Sequence, residues 1–227
     1  MSLAPVITVD GPSGVGKGTL CQYLASILDW HLLDSGALYR LLVMALLHRA
    51  IPLEDEERIA NMVAELDVEF LADSHRVFLD GVDVSVEIRS EKCANIASRV
   101  AALQTVRIAL LQRQRDFRRF PGLIADGRDM GTVVFPDAQV KLFITASSAE
   151  RVRRRYKQLR EKGLDANLKD LSKAINTRDN RDDRRTVAPL GPAPDAEVLD
   201  TTEMNIKEVC DWALRWVLNV SPCWSMD

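Results

Sequence analysis

"DGPSGVGKGTLC", residues 10–21, is the stretch from which the fold can be read. An apolar run, Pro5 to Val9, precedes it, and Leu20, Tyr23, Leu24, Ile27 and Leu28 recur behind it at helical spacing. A tight strand-to-helix turn needs one glycine, or two. Gly11, Gly14, Gly16 and Gly18 around Lys17 are more than a turn requires. Glycines let the backbone turn its N–H groups inward and let a bulky anion approach, while the helix behind adds the positive end of its dipole and lysine a mobile charge. The stretch matches the phosphate-cradling P-loop, G-x-x-x-x-G-K, with Gly11 first and Gly16 and Lys17 last. Gly11, Pro12, Ser13, Gly14, Val15, Gly16, Lys17, Gly18 and Thr19 are therefore the expected phosphate-binding loop. The general pattern puts Ser or Thr directly after Lys. Here Gly18 intervenes and Thr19 supplies the hydroxyl, which leaves its role as a Mg²⁺ ligand open.

Working outward, apolar strands alternate with helical patterns. Trp30 to Leu33 precedes a helix over Ala37 to Arg49, and Gly122 to Ala125, Val140 to Ile144 and Glu197 to Leu199 read as further strands. Such alternation predicts an α/β fold: a three-layer, parallel five-stranded sheet with helices on both faces. Ligands of such sheets bind beyond the carboxyl ends of the strands, which directs attention to the loops "DSGALYR" and "DGRDMG" and to whatever follows "LFITA". Asp67 to Ser85 breaks the alternation with period-two apolar residues and turns at Asp73-Ser74 and Asp80-Gly81, a small antiparallel meander. One domain over residues 1–227 is expected, with an inserted lobe over 60–101 and a helical lid over 148–166.

Composition narrows the function. Thirty basic against thirty-three acidic residues give a net charge of −3, which disfavours a nucleic-acid binder. Cys21, Cys93, Cys210 and Cys223 show no metal or redox spacing, and they fit a reduced, cytoplasmic setting as small apolar residues. His31, His48 and His75 are scattered and receive no role. No signal peptide or membrane span is expected, since the longest apolar run is Leu41 to Leu47.

Three further constellations end strands or follow them. "LLDSGALYR" places Asp34 and Ser35 at a strand end, and Arg40 on the helix behind is suited to a second phosphate. Taken alone, an ordinary helix cap would explain it better. "LIADGRDMG" puts Asp126 where a P-loop enzyme keeps the acid that orients a magnesium shell, followed by Arg128 and Asp129. "SSAERVRRRYKQLREKG" sets Arg151, Arg154, Arg155 and Gln158 on one helical face, and "NTRDNRDDRR" does the same for Arg178, Asp182 and Arg185. A charge run is ordinarily a solvated surface. Beside a P-loop, arginines on a closing flap can neutralise a phosphoryl group in transfer and exclude water. Lys17, Arg128, Arg151, Arg154 and Arg185 are the candidate charge-neutralising catalytic groups. Trp212 and Trp216 are read as packing for the last helix.

Together "GPSGVGKGT", "LLDSGALYR", "GLIADGRDMGTVVFPDA" and "RDNRDDRR" resemble the bacterial cytidylate kinases, within the nucleoside monophosphate kinase group. The Gly18-Thr19 spelling is how that group writes its P-loop. The resemblance implies ATP with Mg²⁺ as phosphoryl donor and CMP or dCMP as acceptor; a monomer is expected, with the oligomeric state left open. It implies Ser35, Arg40, Arg128 and Arg185 around the acceptor phosphate, and Arg178 and Asp182 at the sugar hydroxyls. Ser98, Arg107 and Asp129 would read the base, with Thr19 and Asp126 on the metal. GTP as donor, and the choice between ribose and deoxyribose, stay open. A hydrolysing P-loop switch protein is the rival reading, but it would leave the second phosphate site unexplained.

Overall fold

A computed structural model of the chain describes residues 3–71, 76–161, 163, 165–185 and 187–224. The expected turn at Asp73-Ser74, His75, the side chain of Cys223, and residues 162 and 164 of the expected lid lie outside them. In chain order the elements are β1 (Val6–Asp10), α1 (Lys17–Leu28), β2 (His31–Asp34), α2 (Ser35–His48), α3 (Glu56–Glu65), β3 (Val68–Leu71), β4 (Arg76–Leu79) and β5 (Val82–Asp83). They continue with α4 (Glu91–Val100), α5 (Gln104–Arg115), β6 (Leu123–Asp126), β7 (Val140–Thr145), α6 (Ser148–Glu161), α7 (Leu168–Asp183), β8 (Glu197–Asp200) and α8 (Ile206–Val220).

The chain divides into two compact units, Met1–Asp34 with Arg115–Asp227, and Ser35–Gln114. The first holds the five-stranded sheet in the order β2-β6-β1-β7-β8, and every pairing is parallel. All of β1 is buried, as a strand covered on both faces must be, which is why it reads as a β-branched run, apolar but for Thr8, up to Asp10. From β1 the chain steps two places outward to β2, while β6 and β7 later fill the places on either side of β1. The P-loop thus leaves the sheet where the strand order switches direction, the place at which parallel sheets form a ligand crevice. Ile7, Val9, Ile124, Leu142 and Ile144 from the sheet pack with Leu20 and Leu24 of α1 and with Ala213 and Val217 of α8. Trp212 and Trp216 stack with ring centroids 5.9 Å apart against this core, as expected for packing residues.

The second unit has its own core. Leu41, Leu42 and Leu46 of α2 pack with Ile59 of α3, Val77 and Leu79 of β4, Val100 of α4 and Leu110 of α5. Its sheet, β3-β4-β5, is antiparallel and carries the meander read from the sequence. The insert expected over 60–101 falls inside this unit, which also takes in α2 and nearly all of α5. Cys21, Cys93 and Cys210 are buried and unbridged. No helix among the described residues is long and apolar enough to cross a membrane.

Candidate active site

The P-loop bends where its glycines permit. Gly11 has φ +143°, and a Cβ there would lie 2.0 Å from the Ile144 carbonyl oxygen, so no side chain fits. Gly16 caps α1 in the left-handed region at φ +100°, where a Cβ costs energy. Lys17 is buried and folds back over the loop, its Nζ donating to the carbonyls of Gly11 at 2.9 Å and Pro12 at 3.0 Å. Asp126, at the end of β6, lies 3.8 Å from the same ammonium. Burial lowers the Lys17 pKa from its usual value, the positive charge of Arg128 lowers it further, and Asp126 offsets part of this. A polyanion arriving here would neutralise the Arg128 repulsion and offset the cost of burial.

Pro12 and Val15 are buried, whereas Gly14, Gly18 and Thr19 are exposed at the mouth of the loop. Gly18 stands over Asp126, since a Cβ on it would lie 3.7 Å from Asp126 Oδ2. The Asp126 carboxylate, beneath Gly18 and beside the Lys17 ammonium, offers a hard oxygen donor at the mouth of the loop. It fits Mg²⁺, which binds through one or two protein oxygens and completes its shell with water and substrate phosphates. Among the described residues no group of three or more His, Cys, Asp or Glu side chains could cage a metal ion alone.

Arg128 and Arg185 converge on one buried carboxylate. Asp182, 1% exposed, accepts from Arg128 Nε at 3.1 Å on Oδ2 and from Arg185 on Oδ1. Burial alone would raise the Asp182 pKa, but Arg128, Arg185 and Arg178 outweigh it and hold the carboxyl below its ordinary value. Arg178 also reaches the P-loop, donating to Ser13 Oγ at 3.4 Å. Arg128, some fifty residues before Arg178, Asp182 and Arg185, thus joins them in one basic cluster linked to the loop. Asp129, next to Arg128, is buried and precedes a π-helical turn, Met130–Val134.

The two arginines on α6 are tied into the P-loop and its neighbours. Arg151 grips Asp179 of α7 through both carboxylate oxygens, at 3.0 and 2.6 Å, and donates to the Ser13 carbonyl at 3.1 Å. Arg154 has five N–H donors and makes five bonds, to Glu150, the Val15 carbonyl, Thr201 Oγ1, and the carbonyls of Thr201 and Met204. Both brace the carbonyl side of the P-loop. The one-face spacing identified the helix surface but carried no sign of Asp179 or Thr201 as partners.

In the second unit, Ser35 is buried and donates to Gln114 Oε1 at 2.7 Å, while Arg40 is half-buried. Arg107 is buried and donates to the Ala101 carbonyl at 3.4 Å. Ser98 is 4% exposed, and its hydroxyl has no hydrogen-bond partner among the described residues. Buried hydroxyls are rarely left so. Gln114 escaped sequence reasoning, since a glutamine in a helical pattern gives no signal. Asp10 escaped it too, although an acid closing a buried strand is a signal.

Comparison with known proteins adds the following. The cytidylate kinase family model matches residues 7–219. A cytidylate kinase of Klebsiella pneumoniae (strain 342) is 58% identical over 214 residues, covering 93% of this chain and 94% of its own. One from Aeromonas salmonicida (strain A449) is 58% identical over 216 residues, covering 94% of each chain. Among solved structures, an uncharacterized protein from Eubacterium ventriosum ATCC 27560 shares the fold at 11% identity and a TM-score of 0.52, covering 94% of this chain and 97% of its own.

Proposed function

Because the chain belongs to the cytidylate kinase family, we propose that it transfers the γ-phosphoryl group of ATP to CMP or dCMP, yielding ADP and CDP or dCDP. The observation that carries this reading is the arginine cluster on Asp182, joined to the P-loop by Arg178 and Ser13. One phosphate site calls for a P-loop; two phosphate groups that must meet call for a second set of cations beside it. The loop amides and Lys17 hold the donor phosphates. Arg128, Arg185, Ser35 and Arg40 hold the acceptor phosphate, and Arg178 and Asp182 the sugar hydroxyls. Ser98, Arg107 and Asp129 read the base.

The attacking phosphate oxygen is already anionic, so no general base is needed and catalysis is positioning with charge neutralisation. Mg²⁺, bound through Asp126 and Thr19, would neutralise charge on the donor phosphates. Arg128 and Arg185 face the transferring charge, whereas Arg151 and Arg154 act by keeping the loop in shape. The test is a panel of CMP, dCMP, UMP, AMP and GMP with ATP or GTP. Diphosphate and ADP should form one for one, fastest with CMP or dCMP. Nucleotide hydrolysis that ignores the acceptor would overturn the reading in favour of a switch protein.

The lid gives a second expectation. The outer part of α6, from Arg155 to Glu161, has few buried side chains, so its amides should exchange readily in the free protein. With both nucleotides or a bisubstrate analogue bound, exchange over 155–161 should slow, as water is excluded on closure. Unchanged exchange in the ternary complex would make this basic face an ordinary solvated surface.

A further inference from the structure

Asp10 closes β1 and opens the P-loop, yet none of the roles above uses it. Its carboxylate is buried, one oxygen accepting the Met130 N–H at 2.9 Å and the other the Gly131 N–H at 2.8 Å. These are the first amides of the π-helical turn, which have no partner within it. The loop that leads into this turn is tied to β1 by the Gly127 N–H on the Val9 carbonyl at 3.1 Å. The turn itself is pressed on the strand, since a Cβ on Gly131 would lie 2.9 Å from Thr8 Oγ1. A buried carboxylate is a costly way to end a strand. A serine or asparagine could take one amide; only a carboxylate offers an oxygen to each without placing a donor against either. The residues immediately before these amides are Arg128 and Asp129.

We propose that Asp10 is a positioning residue of the acceptor site: through the amides of Met130 and Gly131 it fixes the turn that aims Arg128 and Asp129. The donor loop and the acceptor-reading turn then hang from the same strand end. This rests on the reading of Asp129 as a base reader. The charged and titratable groups facing Asp10 are Asp129 beside the turn, and Lys17 and Cys21 on α1. Burial raises the Asp10 pKa to about 7, with Asp129 adding to the rise and the two amides and Lys17 opposing it. Below that pH one oxygen becomes an O–H, a poorer acceptor than a carboxylate oxygen, and one of the two bonds is weakened.

Asp10→Asn removes one acceptor oxygen outright, at every pH. It should lower kcat/KM for CMP by about 10- to 100-fold, the usual worth of a hydrogen bond to a charged group, and raise the KM for CMP. The preference for CMP over UMP should narrow, with the KM for ATP held within about twofold. In ¹⁵N-labelled wild-type protein the Met130 and Gly131 amide resonances should shift with a midpoint near pH 7, and the titration should vanish in the variant. Equal losses toward ATP and CMP would overturn the proposal, as would an unchanged CMP-to-UMP ratio. If the variant fails to fold, hydrogen exchange in the wild type decides, and Met130 and Gly131 amides that exchange as fast as those of an open loop overturn it. Asp129→Ala separates the two readings. If it narrows base preference while Asp10→Asn does not, the positioning role alone falls. If Asp129→Ala leaves preference intact, the base-reader assignment falls, and the amide exchange still reports whether Asp10 holds the turn.

Discussion

Replacing Lys17 by Met lowers turnover roughly 10²- to 10⁵-fold, the range seen when a cation aimed at a transferring phosphoryl or developing oxyanion is removed. The ammonium is buried and already oriented by the Gly11 and Pro12 carbonyls, so little reorganisation is left for the moment of reaction. The fold should tolerate the change. Burial works against the charged form of Lys17, as the direction of its pKa shift shows, and Met fills much the same volume without a charge to desolvate. Melting temperature by calorimetry and steady-state rates with CMP and ATP make the check. A folded variant that turns over within tenfold of the parent would remove the P-loop from the mechanism.

The second large effect concerns the base. Cytosine offers an amino donor at N4 beside acceptors at N3 and O2; uracil offers an acceptor at O4 and a donor at N3. In the proposed reading the Asp129 carboxylate accepts from N4, and Arg107 donates to N3 or O2. With uracil the carboxylate meets lone pairs and the guanidinium meets an N–H. Each mispaired buried group costs roughly 1–3 kcal/mol, so the two together give a preference of order 10² to 10⁴ for CMP. Asp129→Ala should lower kcat/KM for CMP far more than for UMP and close much of that gap. The backbone of the turn should survive, since Val133 N–H donates to the main-chain oxygen of residue 129 at 2.9 Å and needs no side chain there. Equal losses for both bases would make Asp129 a prop for the turn rather than a reader.

What could be read from the sequence follows from how each feature is encoded. β1, β6 and β7 are covered on both faces and show as apolar runs, so their order along the chain was plain. β2, less buried, begins one residue later than its apolar pattern, at His31. The P-loop was legible because its glycines have a backbone reason. The π-helical turn after Asp129 was not: its wider hydrogen bonding, Phe135 N–H to the Met130 carbonyl at 2.7 Å, leaves no hydrophobic period. Nor was the extent of the second unit, because α2 and α5 carry the same helical spacing as any helix beside a sheet. Periodicity tells which face of a helix a side chain occupies, not what stands opposite. Hence Arg151 and Arg154 were found and their partners Asp179 and Thr201 were missed.

Those partners make α6 a beam clamped at one end. Arg151 and Arg154 rivet its first turns to the loop carbonyls of Ser13 and Val15 and to Thr201. Beyond them, Leu159 packs with Leu171 and Ile175 of α7, so the two helices share a load. A beam of this kind has almost no travel at its root and the most at its tip. If α6 closes as proposed, its stroke is taken up past Arg154, and the root can bear on the phosphate loop without shaking it.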